Sequence, residues 1–405
     1  MKTTAHGRHG PAHVPIAQVG LDGVIAGVTR LSEVEGEAGR LTIAGFPAEV
    51  LAPRASFEET LHLLWEDRLP TSAELDRLNR DLREKREPGE LVRTLLVEAA
   101  ARGAEPMDAL RLGVAALAID SPGREAIVAS MPVMLANFWR CRTGRSWLDA
   151  PHGGTHAECF LELLFDRVPE PAERRALDTY WNTVADHGMN ASTFTARVIA
   201  STGSDQVAAV EGALGALKGP LHGGAPGPAL ATLQALRAQG LETDGGDLDA
   251  RTRAHVREVV VSGERMMGFG HRVYRVRDPR ADILGAEATR LLGESDPLWR
   301  DARVFETAVL EVLAELKPDR AIHTNVEFYT ALLLHGLGLD ARLFSSVFAL
   351  ARVGGWLGHF DEQTKNGRLL RPRAAYRGAR DRAWVPIAER VGMSGSADPA
   401  SPPAP

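Results

Sequence analysis

The chain has 405 residues, 44% hydrophobic and 25% charged, with 47 lysines and arginines against 53 aspartates and glutamates, a net charge of −6. That length exceeds one hydrophobic core at the usual domain scale and predicts at least two domains. The acidic balance gives no basic signature of a nucleic-acid binder, and no apolar run approaches the roughly 20 residues of a membrane helix.

In chain order, Met1 to His13 is polar, rich in His, Gly and Pro, and has no signal-peptide apolar stretch. It reads as part of a disordered leader, residues 1–17, of a cytoplasmic protein, and His6, His9 and His13 are attributed to its composition. Val24 to Val34 and Arg40 to Ile43 predict a small hairpin. Ser56-Phe57-Glu58-Glu59 and Thr71-Ser72-Ala73-Glu74 are capping boxes, each opening a helix. Pro106 suits a first helical turn, and Met107, Leu110, Val114 and Leu117 then form one apolar face. Cys141 and Cys159, the two cysteines, read as ordinary thiols. His152, His156 and Cys159 are spaced like metal ligands but read as a loop beside Gly153 and Gly154 with no fourth ligand, so no metal is assigned. Phe328 to Leu337 and Leu343 to His359 are apolar at helical length, the second with Gly354, Gly355 and Gly358 to let helices approach closely. Residues 391–405, small and proline-rich from Ser394, read as a disordered tail. The fold class is mainly α, and most Leu, Ala and Met stripes are core.

Four segments interrupt the helical pattern. They are Ala185-Asp186-His187-Gly188-Met189-Asn190-Ala191-Ser192-Thr193, Gly219-Pro220-Leu221-His222-Gly223-Gly224, Gly268-Phe269-Gly270-His271-Arg272-Val273-Tyr274 running on to Asp278-Pro279-Arg280, and Asn325-Val326-Glu327-Phe328-Tyr329. Glycine beside histidine lets backbone or ligand come close to the ring, and histidine holds either protonation state near neutral pH. Several such turns in one chain point to a polar active site. Gly268-x-Gly270 is too short for a dinucleotide fingerprint and lacks a βαβ context. Asn190-Ala191-Ser192 matches a glycosylation acceptor that a cytoplasmic chain does not use.

All four segments, in this order, resemble those of citrate synthases. The likeness runs from about Val19 to Gly378 and includes Pro106-Met107-Asp108-Ala109-Leu110-Arg111, Phe348-Ala349-Leu350-Ala351-Arg352 leading to Gly355-Trp356, and Arg368-Leu369-Leu370-Arg371-Pro372-Arg373. The resemblance implies a mostly helical homodimer whose subunit has a large domain, 18–224 with 332–390, and a smaller domain, 225–331, that closes over the substrates. It implies condensation of acetyl-CoA with oxaloacetate and water to citrate and CoA, as in the tricarboxylic acid cycle, with no metal or cofactor.

It further implies that Glu327 takes the α-proton, that His222 hydrogen-bonds the thioester oxygen and that His271 polarises the oxaloacetate carbonyl. His187, Arg280, Arg352 and Arg371 match oxaloacetate-binding positions, Arg371 reaching in from the partner subunit. Met267, Gly268, Phe269, Gly270 and Arg275 match positions near CoA. Bidentate guanidinium groups suit the two carboxylates of oxaloacetate. Arg280 after Asp278-Pro279 also reads as a salt-bridged turn arginine, and Arg272, Arg275 and Arg277 as a solvated basic run.

The chain departs from the family at four places. Glu327 stands where aspartate is usual, Val184 where a histidine precedes Ala-Asp-His, Pro226 where an asparagine follows Gly-Gly-Ala, and His323-Thr324 where a Tyr-Pro pair precedes Asn325. The extra methylene of Glu327 moves its carboxylate by more than about 1 Å unless the backbone compensates. These departures leave two alternatives open: the same chemistry on propionyl-CoA, a 2-methylcitrate synthase, or a weakly catalytic paralogue that binds CoA or oxaloacetate as a regulator.

Overall fold

Local sequence signals start most of the helices. Ser56, Thr71 and Thr155 each accept a hydrogen bond from the backbone amide three residues on, while Glu59, Glu74 and Glu158 reach back to the capping amide. A computed structural model describes residues 19–21, 23–223, 226–242, 247–271, 273–376 and 378–390. The predicted leader 1–17 and tail 391–405, together with Gly224 and Arg272, lie outside these described residues. The architecture is mainly α, with sixteen α-helices among the described residues and one small antiparallel sheet of Ser32–Glu35, Arg40–Ile43 and Phe46–Pro47. No described helix is long and apolar enough to cross a membrane.

The predicted hairpin is real but shorter at its start. Ser32 pairs with Ile43 and Glu35 with Arg40, whereas residues 24–31 form no strand. Ile25 and Val28 there are exposed, so their β-branched side chains bury nothing and no neighbour completes a ladder. A second correction concerns the proposed loop at 152–159. Thr155 caps a helix, His156–Phe165, whose box Thr155-His156-Ala157-Glu158 repeats the signal at Ser56. His156 is buried, its ring stacked on Phe57 at 5.5 Å and tilted against Trp181 at 5.4 Å, and Cys159 is buried with its thiol pushed up to about 12 by burial.

The described residues fall into two units, 25–370 and 19–24 with 371–390. In the first unit the Phe344–Asn366 helix is buried along most of its length and packs on Ala191–Ser201, Gln206–Leu217, Phe57–Glu66 and Pro171–Val184. Its glycines are needed for that packing. A Cβ at Gly354 would lie 2.3 Å from Leu61 Cδ2, and one at Gly355 2.5 Å from the Ala185 carbonyl oxygen. The predicted face of Pro106–Leu117 is buried at Met107, Leu110, Val114 and Leu117. Pro279–Leu292 packs on both Val326–Gly336 and Pro171–Val184, which brings the segments around residues 187, 280 and 327 together. In the other unit the described residues include one-turn helices Val19–Leu21 and Ile387–Glu389 and exposed Tyr376, Trp384 and Ile387.

Away from those segments, Glu58 and Asp178 are two buried carboxyls within each other's field. Burial, reinforced by the charge of Glu58, pushes Asp178 up to about 8, and burial raises Glu58 as well. An unfolded aspartate titrates near 4. Between about pH 4 and about pH 8 the native state therefore binds more protons than the unfolded chain, and stability falls as pH rises through that window. Melting temperature should drop from pH 6 to pH 9, and Asp178→Asn should flatten that drop. Equal slopes in the two proteins would contradict this assignment.

Candidate active site

His271 follows the Gly268–Gly270 turn. The Val273 and Tyr274 amides both donate to its Nδ1 at 3.0 Å, which leaves the ring proton on Nε2. Burial, then the charge of Arg280, holds the ring down to about 4, so it is neutral and a donor at Nε2. Arg280 Nη2 lies 3.2 Å from that Nε2. Two proton-bearing groups side by side suit an oxygen that accepts from both.

Arg280 is not a surface turn arginine. It is buried and grips Asp278 bidentately, Nε to Oδ1 at 3.0 Å and Nη2 to Oδ2 at 2.8 Å. Asp278 caps the Pro279–Leu292 helix and also accepts from the Val326 amide at 3.3 Å, tying Arg280 to the start of the helix that carries Glu327. Burial alone would raise the Asp278 carboxyl, but Arg280 and His271 outweigh it and hold it below the usual range.

Glu327 lies in the first turn of Val326–Gly336, whose cap Asn325 accepts from the Glu327 amide at 3.0 Å. Asn325 Nδ2 also donates to the Gly270 carbonyl at 2.8 Å, so one side chain joins the His271 turn to the Glu327 helix. Burial raises Glu327 to about 7; Arg280 opposes the shift and Asp278 adds to it.

Arg352, on the long central helix, is buried. Its Nε donates to the Val184 carbonyl at 2.7 Å, and its guanidinium lies 4.6 Å over the Phe348 ring. Among the described residues it belongs to no ion pair, and burial pulls it down to about 10. His187 feels Arg280, Arg352 and His271. Burial first, then these charges, hold it well below the usual histidine range. Its Nε2 meets the buried Tyr274 hydroxyl at 3.2 Å, and its ring is 5.9 Å from that of His271. His222 Nε2 meets the Ser192 hydroxyl at 2.9 Å and the Ser192 amide at 3.2 Å; accepting from the amide, which can only donate, it carries its proton on Nδ1. Burial, then Arg352, lowers it to about 4.

Thus His187, His222, His271, Arg280, Arg352 and Glu327 belong to one electrostatically coupled cluster. The other predicted residues are placed differently. The turn holding Met267, Gly268, Phe269 and Gly270 is bound to the 323–325 segment: Gly270 N donates to His323 O at 2.8 Å and Asn325 N to Gly268 O at 3.0 Å. Phe269 is half-buried and packs against Phe305 and Phe328. Arg275 is exposed, and Arg371 is an exposed residue of the terminal unit. A cavity of about 750 Å³ is lined by Ala281, Gly285 and Thr289 on the Pro279–Leu292 helix, the face opposite Arg280. The histidines and Glu327 do not line it, and chemistry rather than size locates the site.

The sequence reading assigned no role to Asp278, Tyr274, Ser192, Asp186 or His359. Asp186 accepts from Ser32 and lies 3.2 Å from His359 Nε2, and Ser32 Oγ accepts from the Gly188 amide at 2.6 Å, so this buried chain fixes the His187 loop. Asp278 had a signal, an Asp-Pro pair that reads as cap and first turn.

The sequence profile described as citrate synthase, C-terminal domain, matches residues 20–373. The citrate synthase of Haloferax volcanii is 38% identical over 388 residues, covering 92% of this chain and 98% of its own length. The crystal structure of citrate synthase from Thermotoga maritima superposes with a TM-score of 0.81 at 32% identity, covering 93% of this chain and 99% of that one. A ternary complex of the Thermoplasma acidophilum citrate synthase with carboxymethyl coenzyme A and oxaloacetate superposes with a TM-score of 0.81 at 29% identity, covering 91% and 98%. Matched along nearly its whole length in sequence and in fold, this chain belongs to the citrate synthase family.

Proposed function

We propose that the site condenses acetyl-CoA with oxaloacetate to give citrate and CoA. One observation carries the reading. Two guanidinium groups, Arg280 and Arg352, are buried within each other's field; among the described residues only Arg280 is ion-paired, while the Asp186 carboxylate acts on Arg352 from beyond ion-pair distance. A buried cation left unpaired is costly, so such a pair calls for a small dianion. Oxaloacetate has two carboxylates and, between them, a keto oxygen for the Nε2–H of His271.

The chemistry follows from protonation states. Glu327 as carboxylate removes a methyl proton of the thioester, while His222 donates Nδ1–H to the oxygen on which the enolate charge develops. Both histidines are neutral donors at physiological pH. The enolate carbon attacks the keto carbon, a C–C bond forms and the new alkoxide takes the Nε2 proton of His271, which the proton collected by Glu327 replaces, so that both groups return to their starting states. Water then cleaves the C–S bond of citryl-CoA, releasing citrate and CoA. The scheme calls for no cofactor; the CoA thioester is a substrate, held in this reading by the Met267–Gly270 turn and Arg275. Residues 225–331 form the smaller closing part, and Arg371 completes the carboxylate site from the partner subunit of a cytoplasmic homodimer.

Thiol release is measured with oxaloacetate and either acetyl-CoA or propionyl-CoA. The reading predicts the higher kcat/KM with acetyl-CoA. A preference for propionyl-CoA would make the chain a 2-methylcitrate synthase, and oxaloacetate binding without turnover would make it a regulatory paralogue.

A further inference from the structure

Glu306, in the Pro297–Leu316 helix, is a buried carboxylate that none of the steps above uses. It is the acceptor on which three parts of the site converge. Thr324 Oγ1 donates to its Oε1 at 2.5 Å, and Arg277 Nη1 reaches the same oxygen at 3.2 Å. Tyr329 Oη and Arg303 Nη1 donate to its Oε2 at 2.7 and 2.6 Å. Thr324 precedes the cap Asn325, Tyr329 lies two residues beyond Glu327, and Arg277 precedes Asp278. Thr324 is fully buried and also bridges to Phe269 in the turn that leads to His271.

We propose that Glu306 is a positioning residue for the condensation: through Thr324 and Tyr329 it fixes the start of the helix that carries Glu327, and through the 268–270 turn the approach of His271. The proposal rests on the catalytic roles assigned above. Thr324 supplies this contact through its hydroxyl, directly before the cap Asn325. A longer base at 327 requires the helix start to be set for its length, and a carboxylate anchored by four donors is a rigid means of setting it.

Thr324→Val removes one hydroxyl and little volume, and Thr324→Ser keeps the hydroxyl. Kinetics are measured together with the titration midpoint of Glu327, followed by ¹³C-carboxyl NMR on glutamate-labelled protein and assigned by the signal lost in Glu327→Gln. Thr324→Val should lower kcat by about tenfold to a hundredfold, change the KM for oxaloacetate by less than about twofold and move the Glu327 midpoint. Thr324→Ser should restore all three. If Thr324→Val does not fold, Tyr329→Phe removes another donor and should move the same midpoint. Loss of melting temperature with kcat and midpoint unchanged overturns the proposal while the condensation stands. A wild-type protein without thiol release, whose midpoint still moves in Thr324→Val, overturns the condensation and supports the positioning.

Discussion

Replacing Glu327 by glutamine is expected to lower kcat by about a thousandfold while the KM for oxaloacetate changes little. Glutamine preserves the shape of the side chain and its place after the Asn325 cap but cannot accept a proton. Arg280, Arg352 and His271 are untouched, so oxaloacetate binding should survive. The same group is expected to set the pH dependence of the wild-type enzyme. A base works deprotonated, and burial raises Glu327 to about 7 although it lies in the first turn of a helix, where the dipole favours an anion. Activity should therefore rise with pH up to about 7, about tenfold per unit on the acid side, and level off above it. His222 and His271 titrate near 4 and add no second limb around neutrality. The pH profile of kcat/KM checks this, and a glutamine variant within tenfold of wild type would remove Glu327 from the mechanism.

Arg352→Met should separate function from stability. Loss of a charge-assisted contact to a substrate carboxylate costs about 3 kcal/mol, a rise of roughly 100-fold in the Kd for oxaloacetate. The apo protein should not melt earlier. Burial already pulls the Arg352 guanidinium down to about 10, and a flexible apolar chain fills the same space beside Phe348 without an unpaired charge. Scanning fluorimetry with and without oxaloacetate reads both effects. Wild type should gain melting temperature on adding oxaloacetate, and the variant should gain almost none. Arg352→Lys should not rescue, because lysine lacks the planar fork and the Nε donor to Val184. Unchanged oxaloacetate protection in Arg352→Met would show that the dianion is held elsewhere.

Local signals were legible where a single turn decides the structure. The boxes at Ser56 and Thr71 opened helices as the spacing required, and the apolar stretches at Phe328 and Leu343 became Val326–Gly336 and Phe344–Asn366. Thr155 carried the same box, but the metal-like spacing of His152, His156 and Cys159 and the neighbouring glycines masked it. At residues 24–31 β-branched composition suggested a strand, yet strand formation depends on a partner that composition does not specify. The glycine-framed histidines marked His187, His222 and His271 as chemistry-bearing, and the structure gathers them around Arg280 and Arg352. What supports them was less visible. Glu306 is an ordinary helical glutamate in sequence, far along the chain from Arg277, and its four donors meet it only after folding. The role proposed for Arg371 needs a partner subunit, and contacts within one chain carry no such signal.

The most direct test is a crystal structure of this chain with oxaloacetate and a non-reactive thioester analogue such as carboxymethyl-CoA. The account predicts oxaloacetate bound by Arg280, Arg352 and His187, with its keto oxygen about 3 Å from His271 Nε2. The Glu327 carboxylate and His222 Nδ1 should flank the carbon and oxygen of the analogue's reacting end, the carboxylate about 3–3.5 Å from that carbon. Oxaloacetate outside this cluster, or a Glu327 carboxylate turned away from the analogue, would contradict it.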